Sequence, residues 1–131
     1  MNPDPSKYAH LKQYAPVILR LGLAFVFAWF GITQLMGPEA WARLIPEWLT
    51  NLTGMSAVTF VYLNGGAEIL AALLLICNVW TSVVAFLLFL HLVTIVLDVG
   101  FNAIGVRDIG LAVSCLALSM WACGSSPARQ M

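Results

Sequence analysis

The sequence predicts an all-α integral membrane protein: a four-helix up-down bundle with a short interfacial helix after the first span. Three observations carry this. Of the 131 residues, 61% are hydrophobic and only 9% are charged, whereas a soluble domain is about 25% charged. So few charges cannot cover a soluble surface, and the excess apolar surface faces lipid. The mean hydropathy is +0.91. Finally, apolar runs close to the span length of about 20 residues recur along the chain, separated by turns or polar stretches.

Residues 1–15 form a polar tail with Lys7, His10 and Lys12. The first span is expected over 16–36, opened by Pro16, whose missing N–H is harmless in a first helical turn. This run is longer than the core of a secretory signal, about 7–15 residues, so it is read as retained. Gly37-Pro38 stops it. In the following PEAWARLIPEWLTNLTG, Trp41, Leu44, Ile45 and Trp48 fall at i, i+3, i+4 and i+7, on one helical face. Pro46 must break or kink that helix. The segment is too short and polar to span. It reads as an interfacial piece with its tryptophans at headgroup depth, or as a loop over the bundle mouth.

The second span is expected over 57–77 and carries Asn64 and Glu68. The tight turn Asn78-Val-Trp-Thr81 makes the third span, 80–97, an antiparallel neighbour; it holds His91 and Thr94. The fourth covers 106–123 and stops at Gly124-Ser-Ser-Pro127, leaving 124–131 as a tail. Lysine and arginine counts set the orientation. Lys7, Lys12, Arg20 and Arg129 on the side of the termini outweigh Arg43 and Arg107 on the other, which places both termini in the cytoplasm.

Between the last two spans lies LDVGFNAIGVRDIGL, residues 97–111. It concentrates Asp98, Asn102, Arg107 and Asp108 in an otherwise apolar chain. Gly100 and Gly105 are expected to turn it. Arg107 can pair with Asp98 or Asp108. Arg107 and Asp108 are neighbours, about 100° apart on a helix, which makes a direct pair awkward. Asp98 is therefore the better fit, and Asp108 is then left pointing into the bundle.

Charged groups at mid-bilayer cost about 2.5–3.5 kcal/mol even on lenient scales, so they should face inward. Each span does have one polar stripe: Arg20, Phe27, Gly31 and Gln34; Asn64 and Glu68; His91, Thr94 and Asp98; Asp108, Cys115 and Ser119. A rise of about 1.5 Å per residue predicts two layers. Glu68 and His91 pair at mid-depth, and Gln34, Asp98, Arg107 and Asp108 cluster at the outer face, with Arg20 near the inner face. These eight positions, Arg20, Gln34, Asn64, Glu68, His91, Asp98, Arg107 and Asp108, are the candidate ligand-binding residues. They can act as polar glue between helices or as a site for protons and a polar headgroup such as a quinone ring.

Net charge is zero, which gives no reason to expect a nucleic-acid partner. Cys77, Cys115 and Cys123 form no C-x-x-C pair, so they read as small apolar residues, and no metal site is expected. No haem, flavin or iron–sulfur motif is present.

The first span LRLGLAFVFAWFGITQL with the following PEAW, the Glu-bearing NGGAEILAALLLI, and GFNAIGVRDIGLA resemble, in order and spacing, the DoxX-like membrane proteins. The resemblance runs from about Arg20 to Leu118. It implies a small bacterial four-helix bundle in the cytoplasmic membrane. It also implies a link to redox chemistry: the DoxD branch is tied to thiosulfate oxidation with quinone as acceptor, and DoxX proteins to redox stress and membrane oxidoreductase complexes. Distant relatives are assembly factors or chaperones. The family pattern carries over to Arg20, Glu68, Arg107 and Asp108; Gln34 stands where many relatives have Lys, which removes a charge from any anion-binding role.

Three function classes follow. The first is a membrane subunit or accessory factor of a redox system, quinone-linked, with electrons supplied by a partner. The second is a non-enzymatic assembly or interaction protein that docks a membrane protein partner or forms a homo-oligomer in the lipid bilayer. The third, a small transporter or lipid-binding protein, is weakened by the lack of an internal repeat.

Overall fold

In the computed structural model, residues 4–125 are described. Arg129, used in the charge count, and Pro127 of the expected helix stop lie outside the described residues. Every regular element among the described residues is a helix: α1 (Ala9–Lys12), α2 (Ala15–Met36), α3 (Pro38–Ala42), α4 (Glu47–Thr53), α5 (Ala57–Ile76), α6 (Thr81–Val99) and α7 (Ala103–Gly124). Of these, α2, α5, α6 and α7 are long and apolar enough to cross a membrane. At most 33% of the most apolar stretch of each is buried inside the bundle, which leaves the remainder for lipid.

Local chemistry sets the helix ends. Pro16 sits in the first turn of α2, and the Ser56 hydroxyl caps α5 by accepting from the Thr59 amide at 3.2 Å. Asn78 and Trp80 take left-handed φ values of 55° and 50° in the α5–α6 turn. There the Thr81 hydroxyl donates to Asn78 Oδ1 at 2.7 Å. The stretch after α2 is two short helices rather than one kinked helix, because Pro46 holds an extended backbone at the start of α4. The α7 helix begins at Ala103, earlier than Val106. Asn102 Oδ1 accepts from the amides of Ile104 and Gly105, each at 3.0 Å, and so starts the helix three residues sooner. Gly100 turns the chain with φ +82°. Gly105 does not: it lies buried inside α7, pressed against the Gly100 carbonyl where a Cβ has no room.

The bundle is built from two intimate antiparallel pairs, α2 with α5 and α6 with α7, joined by looser α2–α7 and α5–α6 seams. The first pair closes at Gly31 and Gly65. A Cβ on Gly31 would stand 2.7 Å from the Gly65 carbonyl oxygen, and one on Gly65 would stand 3.0 Å from that of Gly31. Small residues of this kind let membrane helices approach closely. The second pair is tied by a reciprocal exchange: the Ser119 hydroxyl donates to the Ser82 carbonyl at 2.8 Å, and the Ser82 hydroxyl to that of Ser119 at 3.0 Å. Near the termini, Arg20 Nη1 donates to the last carbonyls of α5, Leu75 and Ile76.

The apolar core fills the half of the bundle nearer the termini. It includes Leu23, Phe27, Leu75, Leu88, Cys115 and Leu118. The other half, under α3 and α4, is where the polar side chains gather.

The Gly31–Gly65 crossing is tested by substitution. Gly31→Leu should destabilise the protein by about 1–3 kcal/mol through overpacking, read from SDS titration in mixed micelles. Gly22→Ala and Gly66→Ala, with open space around both, should stay within about 1 kcal/mol of the parent. Equal effects at all three positions would dismiss the close crossing.

Candidate functional site

Beyond the core, at the end away from the termini, the helices enclose a cavity of about 420 Å³. Volumes of about 300–1,000 Å³ are usual for small-molecule sites. Seven of the eight candidate residues line it: Gln34, Asn64, Glu68, His91, Asp98, Arg107 and Asp108. Arg20 does not. It is committed to the end of α5 nearer the termini, and its role there is a helix cap.

Glu68 is the centre of the polar set. It projects from the face of α5 that packs on α2, and it is 6% exposed. Three side chains serve its carboxylate. Gln34 Nε2 donates to Oε2 at 2.8 Å. Asn64 Nδ2, one turn away, donates to Oε1 at 3.2 Å and to Gln34 Oε1 at 2.8 Å. His91 Nε2 lies 3.4 Å from Oε1 across the α5–α6 seam. The expected Glu68–His91 pair is therefore present, but Gln34 belongs with it rather than with an outer layer. The depth estimate put all helix ends on one plane. In fact α2 stops at Met36 while the first turns of α5 run on beside α3, so the end of α2 is level with Asn64 and Glu68.

The second polar set lies on α7. Arg107 Nε donates to Asp108 Oδ1 at 2.9 Å. This corrects the expected Asp98–Arg107 latch: the two neighbours diverge by about 100° at the backbone, but the long Arg side chain folds back along its own helix. Its guanidinium stacks over the Phe30 ring, 4.8 Å from the centroid. Phe30 in turn meets Trp41 edge-on, with centroids 5.8 Å apart and planes at 87°. Asp108 is buried as expected, 4% exposed. Asp98 stands exposed in the last turn of α6 with no hydrogen bond or ion pair among the described residues.

The cavity walls are aromatic. Phe27 and Phe30 come from α2, Trp41 and Trp48 from the α3–α4 segment, and Phe60 from α5. Composition alone gave no reason to single out Phe30 or Phe60. The spacing Phe27, Phe30, Gln34 on one face was the available signal. The two tryptophans, expected at headgroup depth, also line the cavity, so the segment serves as its roof.

The groups differ in how fully they are used. Every buried side-chain nitrogen and oxygen among the described residues has a partner. The Arg107 Nη groups, however, have none among the described residues, nor does the second ring nitrogen of His91. Both residues line the cavity. The site thus presents an unengaged donor group, the Arg107 guanidinium, and a free ring nitrogen of His91 beside a saturated carboxylate.

Glu68→Leu should cost about 1–3 kcal/mol or more, since it leaves the buried Gln34 amide without its acceptor. Asp98→Asn should stay within about 0.5 kcal/mol of the parent. Unfolding in mixed micelles reads both, and a larger loss at Asp98 than at Glu68 would contradict the arrangement.

A family model described as DoxX matches residues 15–100. That stretch carries Gln34, Asn64, Glu68, His91 and Asp98, and it ends before Arg107 and Asp108 on α7. No curated protein and no solved structure matches the chain.

Proposed function

The chain belongs to the DoxX family, and we propose that its cavity binds the polar ring of a lipid-soluble quinone, as the membrane subunit or accessory factor of a redox system. The observation that carries this reading is the combination of one aromatic-walled cavity of about 420 Å³ with the unengaged Nη donors of Arg107. A quinone ring matches it in shape and in polarity: the flat ring stacks on aromatic walls, and a carbonyl oxygen accepts from the Arg107 guanidinium.

Charge balance narrows the ligand. Three acidic side chains, Glu68, Asp98 and Asp108, line the cavity with the single guanidinium of Arg107. An anionic headgroup is repelled by that excess, whereas a neutral acceptor is not. Reduction of a quinone takes up two electrons and two protons. The Glu68–His91 contact supplies a route for protons, and the electrons come from a partner protein. With both termini in the cytoplasm of a bacterial cell, the cavity lies in the outer half of the cytoplasmic membrane.

The saturated state of Glu68 favours a second reading, in which the polar set is helix glue and the chain is an assembly protein. The two separate in one experiment. A tail-less benzoquinone is titrated into the purified protein by calorimetry. Arg107→Ala should weaken binding about tenfold or more, the worth of one charge-assisted hydrogen bond, and His91→Ala should weaken it less. Arg107→Ala also takes the partner from Asp108, whose side chain is 5% exposed, and should cost stability. Combining it with Asp108→Asn removes the stranded charge, so the double variant reads binding apart from that loss. Absence of binding, or binding indifferent to both variants, would overturn the quinone reading. A loss of stability without loss of binding would favour glue.

A further inference from the structure

A second hollow lies on the outside of the bundle. It has a volume of about 270 Å³ and is lined by Phe25, Val26, Trp29, Phe30, Arg107 and Leu111. Phe25 and Trp29 are 70% and 60% exposed, on a surface the bilayer covers. Its lining is apolar, with Arg107 contributing its methylene stem. Three of its residues, Phe30, Arg107 and Leu111, also line the cavity. The two spaces are therefore divided by a wall one side chain thick. The wall is thin because α2 and α7 pack along one of the two loose seams of the bundle.

We propose that the ligand whose polar ring sits in the cavity lays an apolar tail through this α2–α7 wall into the outer groove, with Arg107 as the side chain that yields to admit it. The inference rests on the cavity reading above and names the second half of its ligand: an alkyl or isoprenoid chain. Arg107 suits the role. It is held only by its Nε bond to Asp108 and its stack on Phe30, and its side chain is 48% exposed. Its partner Asp108 is 5% exposed, so the guanidinium swings off Phe30 while its Nε bond to Asp108 holds. The ring can then enter sideways from the lipid, and its tail never crosses an aqueous surface. Lipid is as apolar as the groove, so the groove directs and selects the tail and adds little affinity.

The test uses the full chain in lipid nanodiscs and a benzoquinone carrying a long alkyl tail that ends in a diazirine. After photolysis, label should concentrate on Phe25, Val26 and Trp29, and excess tail-less benzoquinone should remove it. Val26→Trp fills the groove at a residue that does not line the cavity. It should abolish that label while tail-less benzoquinone still binds. The inference is overturned if label spreads evenly over lipid-facing residues such as Leu87 and Leu90 of α6 and is not competed, with tail-less benzoquinone still bound. If tail-less benzoquinone does not bind at all, the cavity reading fails, and this inference falls with it.

Discussion

At the crossing of α2 and α5, neither Gly31 nor Gly65 leaves room for a side chain, and each glycine lies against the other's carbonyl. Much of the functional end of the molecule depends on this contact. With the backbones that close, Gln34, one turn past Gly31, falls within 2.8 Å of Glu68, one turn past Gly65. A wider crossing would leave the carboxylate facing a gap. In a bilayer no bulk water fills such a gap, and an uncompensated charge there is costly. The glycines therefore do electrostatic work indirectly, by setting the distance over which an amide reaches a buried acid.

The rest of the polar set follows from that acid. Asn64 shares its helix face at i+4, the spacing at which neighbouring side chains meet, and it bridges to Gln34 as well. His91 reaches across from α6. Because position 34 is Gln, the carboxylate is met by neutral amides and an imidazole rather than by a fixed cation. Its negative charge is not cancelled on the spot. The guanidinium of the cavity stands on α7 and is paired to Asp108.

The fold was largely legible because the membrane imposes it. Backbone groups in lipid must bond within their own helix, so long apolar runs broken by Gly37-Pro38 and Asn78-Val-Trp-Thr81 read directly as spans. Helix faces were legible too: Phe27, Gly31 and Gln34, and likewise Asp108, Cys115 and Ser119, are buried together as their spacing implies. What the sequence hid was relative height and side-chain reach. Gln34 was misplaced because span ends do not share a plane. Arg107 was paired with the wrong aspartate because spacing describes Cβ directions and not where a long side chain ends. Gly105 looked like a turn residue, yet its role is to make room for a carbonyl, which depends on the shape of the preceding loop.

The division of the bundle into a packed half and a hollow half has a physical consequence for the site. The core residues bind all four long helices together near the termini, so the other half is free to be built from contacts that are individually weak. Those contacts fall on the two loose seams: Glu68–His91 across α5–α6, and Arg107–Phe30 across α2–α7. The intimate pairs hold each polar group in place, and the seams hold only what a ligand must disturb. A bundle packed tightly on every seam would be more rigid and would have no way in from the lipid. Placing the only paired guanidinium of the cavity on a loose seam, stacked on an aromatic ring rather than locked into Glu68, keeps that cation available without exposing the buried acid.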